Sequence, residues 1–171
     1  MRFKKDLIDI LINNKFDGDM LEIGTNTGNT TAILGYIGNL LSKNVYSFEM
    51  SPKLIEQANV LLSSLKIKVN IIQKDVYREQ WDLNNIGFVF IDCVHKEECF
   101  EKDIDSSVLV CNRNPIIIAH DYGLVNGGIK SFLSKNKYKY DIIRFVGEKE
   151  GWNEMGTSET NDWEGVQIKI L

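Results

Sequence analysis

The sequence predicts an α/β domain: a seven-stranded, mostly parallel sheet with helices on both faces and an antiparallel hairpin at its C-terminal end. Three observations predict it. Short apolar runs alternate with longer stretches of helical periodicity through most of the chain, the pattern of a parallel sheet with helical crossovers. Successive apolar runs end in acids or histidines, at Glu22, Glu49, Asp75, Asp92 and His120-Asp121. After residue 140 the alternation stops, leaving two strand-like runs joined by a polar, Gly- and Trp-rich stretch with no helical pattern. Such a connection suits an antiparallel pair.

The elements follow in order. Phe3, Leu7, Ile10 and Leu11 recur at helical spacing, so Phe3–Asn14 reads as an amphipathic helix. Strands are expected at Asp19–Ile23, Asn44–Glu49, Lys68–Gln73, Phe88–Asp92, Pro115–Ala119, Tyr140–Phe145 and Gly165–Ile170. The intervening helices are Thr30–Leu41, Pro52–Leu65, Lys96–Val110 and Gly128–Lys135. Pro52 behind Ser51 is a helix-start signal.

With 171 residues the chain fits one domain, residues 1–171, with a sizeable core. Apolar residues make up 43%, ordinary for a globular protein, so a folded rather than a disordered chain is expected. Net charge is −4 with no long Lys/Arg run, so no general nucleic-acid surface is expected. No apolar run is long enough to span a bilayer, and Asp6 and Asp9 interrupt any signal-peptide core. Cys93, Cys99 and Cys111 form an odd set without zinc-ligand spacing. They read as packing residues of a protein in a reducing cytoplasm.

The segment from Met20 to Thr31 is a buried strand, a turn carrying Gly24 and Gly28, and a helix start that Thr27 or Asn29 can cap. A helix N-terminus behind such a turn offers amides to an electron-rich ligand. The dinucleotide fingerprint needs three glycines, and only two are present. Glu22-x-Gly24-x-x-x-Gly28 instead resembles the first motif of class I S-adenosylmethionine (SAM) methyltransferases. Glu49, about 25 residues beyond Gly24, sits at the offset of a ribose-binding acid. The resemblance implies a Rossmann-like fold in which Glu22, Gly24, Thr25, Gly28, Glu49, Asp75 and Asp92 hold SAM, with Asp75 on the adenine amino group.

Ile91-Asp92-Cys93-Val94-His95 and Ala119-His120-Asp121-Tyr122 are similar to the small O-methyltransferases related to the macrocin and catechol enzymes. The likeness runs roughly from Asp19 to Phe132. It implies a small-molecule hydroxyl acceptor, with Asp92 and Asp121 placed to hold Mg²⁺. The acceptor hydroxyl needs a base or a metal to become nucleophilic. His95, His120 and Asp92 are the candidate catalytic residues. The structural alternatives are that His95 caps the next helix or pairs with Asp92, and that Asp121 organises its own turn. Cys93 replaces the usual Gly, and His120-Asp121 replaces the Asp-Asn or Asp-Asp of the catechol type.

The stretch from Gly147 to Glu164, with Trp152 and Trp163, is either a substrate lid or a surface hairpin packed on the sheet edge or on a second copy in a homodimer. No Asn-Pro-Pro-Tyr motif follows the fourth strand, which argues against adenine methylation. Two rival functions are a non-catalytic SAM-binding module and an NAD-dependent oxidoreductase. The absent Tyr-x-x-x-Lys pair counts against the second.

Overall fold

A computed structural model describes residues 2–123, 127–149 and 162–171. The element order is α1 (Arg2–Asn13), β1 (Asp19–Ile23), α2 (Asn29–Leu41), β2 (Val45–Glu49), α3 (Pro52–Leu65), β3 (Asn70–Gln73), β4 (Ile86–Ile91), α4 (Glu97–Val110), β5 (Cys111–His120), α5 (Gly128–Lys135), β6 (Tyr140–Val146) and β7 (Gly165–Ile170). The strands form one sheet in the order β3-β2-β1-β4-β5-β7-β6. Pairing is parallel from β3 through β5, and β7 runs antiparallel between β5 and β6. This is the expected sheet, C-terminal hairpin included. The order reverses between β1 and β4, so the ligand crevice lies beyond their carboxyl ends.

The central strands are buried on both faces because helices cover both. Met20, Phe88, Phe90, Ile116 and Ile118 pack with Leu7, Leu11, Leu34 and Ile37 of α1 and α2. Leu21, Ile23, Val89, Ile91 and Ile117 pack on the other face with Phe100 and Ile104 of α4 and Ile129 and Phe132 of α5. Every residue of β4 is buried, so its sequence shows no two-residue alternation.

Strand β5 begins four residues earlier than the sequence suggests. Cys111 follows α4 directly and pairs with Ile86; an irregularity intervenes, and regular pairing resumes where Ile116 meets Phe88. Asn114, at φ +63°, lies inside that irregularity. The polar run Asn112-Arg113-Asn114 resembles a loop because it lies at the exposed base of the sheet, where side-chain burial does not dictate residue type.

Phe100 is buried under α4, its ring edge-on to Phe132 of α5 at 5.4 Å. Phe100→Ala is expected to cost about 3–5 kcal/mol by leaving a cavity between the two helices. Urea unfolding of the variant checks this; a loss under about 1 kcal/mol would show that the helices collapse into the space.

Candidate active site

The turn after β1 is built by close approaches within the chain. Gly24 has φ +99°, and a Cβ there would lie 2.1 Å from the backbone oxygen of Asp92 at the end of β4. Gly28 has φ +85°, and a Cβ there would lie 2.9 Å from the Cβ of Ala58 in α3. Both glycines are therefore required to bring β4 and α3 against the turn. Gly28 itself is the N-cap of α2, with no side-chain capping bond. This corrects the expectation that Thr27 or Asn29 caps the helix: Asn29 is its first residue, and its side-chain amide donates to the Thr27 hydroxyl.

Glu22 and Thr25 lie beneath this turn. Glu22 has no exposed surface and Thr25 is 3% exposed. Glu22 Oε2 accepts from Thr31 Oγ1 at 2.6 Å and from Ser47 Oγ at 2.5 Å, while Ser47 Oγ and Thr25 Oγ1 are 2.6 Å apart. Sequence reasoning expects Glu22 on the cofactor; the structure places its carboxyl below the turn, where it joins β1, β2 and α2. Thr31 and Ser47 were missed because an isolated Ser or Thr in an apolar run carries no sequence signal of a partner.

Glu49 ends β2 at the open crevice. Its Oε2 accepts the Asn26 amide and its Oε1 accepts the Ser51 amide, each at 2.9 Å. Two backbone amides thereby fix the carboxylate while lone pairs remain on both oxygens. Asp75 follows β3, where its Oδ1 accepts the Tyr77 amide at 3.1 Å and Glu79 accepts the Asp75 amide. Arg78 Nε lies 3.4 Å from Asp75 Oδ2.

At the ends of β4 and β5 the structure brings Asp92, His95, His120 and Asp121 into one cluster. His95 Nε2 is 2.9 Å from Asp121 Oδ2 and 3.8 Å from Asp92 Oδ1. His120 Nδ1 is 3.1 Å from Asp121 Oδ2 and 3.3 Å from Asp92 Oδ1. His95 is not the N-cap of the helix that follows it; Lys96 is the N-cap of α4, and the His95 carbonyl accepts the Gly128 amide of α5. Phe3 of α1 stands edge-to-face with the His120 ring, 4.5 Å between centroids. Asp121 occupies a left-handed conformation, φ +59°, which turns its carboxylate back toward both histidines.

The electrostatics follow from this arrangement. Burial disfavours charge on both imidazoles, but Asp121 and Asp92 outweigh it, pushing His95 up to about 9 and His120 up to about 10. Burial likewise opposes charge on the two carboxylates, and the imidazoles overcome it to hold both below their ordinary value. By itself the quartet is therefore two ion pairs at neutral pH. Asp92, His95 and Asp121 also present three ligand atoms within 4.8 Å of one another. That donor set fits a divalent cation, and the imidazole suits Mn²⁺ or Zn²⁺ better than all-oxygen Mg²⁺ sites.

Burial pushes Glu22 up to about 8, against hydrogen bonds from Ser47 and Thr31 that pull it down. The folded chain then carries Glu22 mostly protonated at pH 7, while the unfolded chain ionises it near 4.5. Its contribution to stability is complete below the unfolded value and is lost as pH rises toward 8. Glu22→Gln, which cannot ionise, is expected to flatten the fall in denaturant midpoint between about pH 5 and 9. Equal slopes in variant and wild type would remove the ionisation argument.

Comparison with known proteins adds the family. No curated protein matches the chain. Among solved structures, an rRNA methylase from Streptococcus thermophilus superposes with TM-score 0.64 at 15% identity, covering 100% of this chain and 98% of that one. A methyltransferase candidate from Streptococcus mutans, in complex with SAH, gives TM-score 0.70 at 13% identity, covering 100% and 99%. A SAM-dependent O-methyltransferase from Thermotoga maritima gives 0.68 at 14%, covering 98% of this chain and 63% of that one. At these identities the likeness establishes the fold. A family model described as a methyltransferase domain matches residues 21–122, from β1 to the residue after Asp121. That span is more than half of the chain and contains the glycine turn, Glu49 and the whole quartet, so the chain belongs to the methyltransferase-domain family and is an enzyme of that class.

Proposed function

We propose that this methyltransferase transfers the methyl group of SAM to the hydroxyl of a small molecule, aided by a divalent cation at Asp92, His95 and Asp121. The observation that carries the reading is the quartet of two carboxylates and two imidazoles at the crevice, beside a carboxylate oriented by two amides. Glu49 accepts the ribose hydroxyls, and Asp75 lies at the adenine end. Gly24 and Gly28 shape the turn that opens onto the amides of α2. Glu22 and Thr25 act from beneath. The SAH bound to the Streptococcus mutans neighbour supports this choice of cofactor.

In the reaction, the acceptor oxygen loses its proton to a base, attacks the methyl carbon in line with the sulfonium, and leaves SAH as the neutral thioether. A protonated imidazole does not accept that proton. His95 and His120 are charged at neutral pH because the carboxylates face them, so whatever occupies those carboxylates decides whether an imidazole is a base. Bound there, a divalent cation would neutralise the carboxylates and polarise an acceptor hydroxyl. His120, outside the ligand set and fixed by Phe3, is then the residue to take the proton.

An RNA acceptor is a second reading, favoured by the likeness to the rRNA methylase along the full length of both chains. The net charge of −4 opposes it, since phosphate binding calls for a basic face. Among the described residues no helix is long and apolar enough to cross a membrane.

Thermal unfolding tests the cofactor. At about a hundredfold excess over Kd, a specific ligand adds roughly 2.7 kcal/mol, about 5–10 °C for a chain of this size. SAM and SAH are expected to give that rise and NADH none; Glu49→Ala is expected to lose most of it while keeping its own fold. A rise with NADH alone would replace the reading by an oxidoreductase.

Titration calorimetry with Mn²⁺ and Mg²⁺ tests the cation. Asp121→Asn is expected to lower Mn²⁺ affinity about tenfold or more and leave SAH binding within about twofold. Wild-type protein that binds neither ion would remove the metal.

A further inference from the structure

A half-buried phenol and a buried carboxyl outside the quartet link the proposed cofactor end to the proposed transfer end. Tyr77 follows Asp75 in the turn after β3. Its phenol crosses to the turn after β4, where its oxygen accepts the Val94 amide at 3.3 Å. The same hydroxyl donates to Asp103 Oδ2, also at 3.3 Å. Asp103 belongs to α4 and is 1% exposed, although it lies on the apolar stripe with Phe100, Ile104 and Ser107. Its other oxygen, Oδ1, is buried with no hydrogen-bond partner among the described residues. Burying a carboxyl this way is costly, and packing alone would place an apolar residue here.

The chemistry of the pair fits a brace. Burial holds the Tyr77 phenol far above its ordinary value, so it remains a hydroxyl that donates to one partner while accepting from the other. Val94 lies two residues beyond Asp92 and one before His95. One phenol oxygen therefore sits between the turn that carries Asp75 and the turn that carries Asp92 and His95 of the quartet. The Ser107 hydroxyl donates to the Asp103 carbonyl one turn back in the helix, so it does not satisfy the second carboxyl oxygen.

We infer that Tyr77 and Asp103 are positioning residues, an internal strut that sets the Asp92–His95 turn relative to the Asp75 turn and so couples cofactor binding to the geometry of the transfer site. The inference rests on the SAM reading above for which ligand enters between these turns. The strut itself is a property of the chain. Coupling of this kind requires an element that the ligand biases, and the turn between β4 and α4, held at Val94 by this side chain, is that element.

The experiment compares wild type with Tyr77→Phe, Asp103→Asn, Asp103→Leu and the Tyr77→Phe/Asp103→Leu double variant. Amide exchange at Val94, read by NMR, reports the strut without any ligand; calorimetric titration with SAH reports the coupling. Tyr77→Phe keeps the ring and removes only the hydroxyl. It is expected to speed Val94 exchange and weaken SAH, each about tenfold, which for binding is about 1.4 kcal/mol.

Asp103→Leu is expected to weaken SAH to the same degree, and the double variant no further than either single, because all three remove one device. Asp103→Asn keeps an acceptor for the phenol and is expected to stay within about twofold of wild type. A purely structural role would lower the melting temperature of these variants and leave SAH affinity untouched, which would overturn the coupling. Unchanged Val94 exchange in Tyr77→Phe would overturn the strut. Failure of wild type to bind SAH would instead remove the cofactor reading and the coupling with it, while Val94 exchange would still decide the strut.

Discussion

The buried carboxyl of Glu22 is the point on which the geometry of the crevice depends. It sits near the end of β1, and one of its oxygens receives hydroxyls from both α2 and β2. Thr25 joins through Ser47. These four side chains fix where the turn leaves the sheet, and therefore where the first amides of α2 and the Glu49 carboxylate stand. Keeping a carboxyl in that position requires that it stay neutral or be compensated by hydrogen bonds, and burial resolves the matter toward the neutral form.

A second constraint acts across the sheet. Gly24 brings the turn so close to the end of β4 that its Cα faces the backbone oxygen of Asp92 with no room for a side chain. The cofactor turn and the first member of the quartet are thus neighbours through backbone alone. On the far side of β4, His95 is held by its carbonyl on the first amide of α5, and His120 by the ring of Phe3 from α1. Five elements, α1, β1, β4, β5 and α5, therefore converge on one polar cluster.

That cluster also shows why residue type alone does not assign a catalytic role. A histidine open to water titrates near neutrality; here two carboxylates face two imidazoles, and each imidazole is held charged. By themselves the four residues form a network of salt bridges. The family membership establishes that methyl transfer is the chemistry, and the quartet lies inside the matched span.

The sequence by itself determined the strand–helix alternation, the antiparallel C-terminal hairpin, and the placement of Glu49, Asp75, Asp92, His95, His120 and Asp121 at or just beyond strand ends. Each is written in local periodicity or in a residue type adjoining an apolar run, and local patterns survive translation into a fold. The start of β5 was illegible because Asn112, Arg113 and Asn114 lie where the sheet is open to solvent. Of the stretch read as a lid or a hairpin, Trp163 stacks on Phe145 of the edge strand β6, 5.4 Å between ring centroids, while residues 150–161, which include Trp152, lie outside the described residues. Tertiary structure alone decided that Glu22 and Thr25 face inward, that Gly28 rather than Thr27 or Asn29 caps α2, that Phe3 packs on His120, and that Tyr77 bridges Val94 and Asp103. Those outcomes depend on contacts between segments far apart in the chain, and whether a carboxyl meets solvent, a hydroxyl or another charge is fixed only when the elements pack.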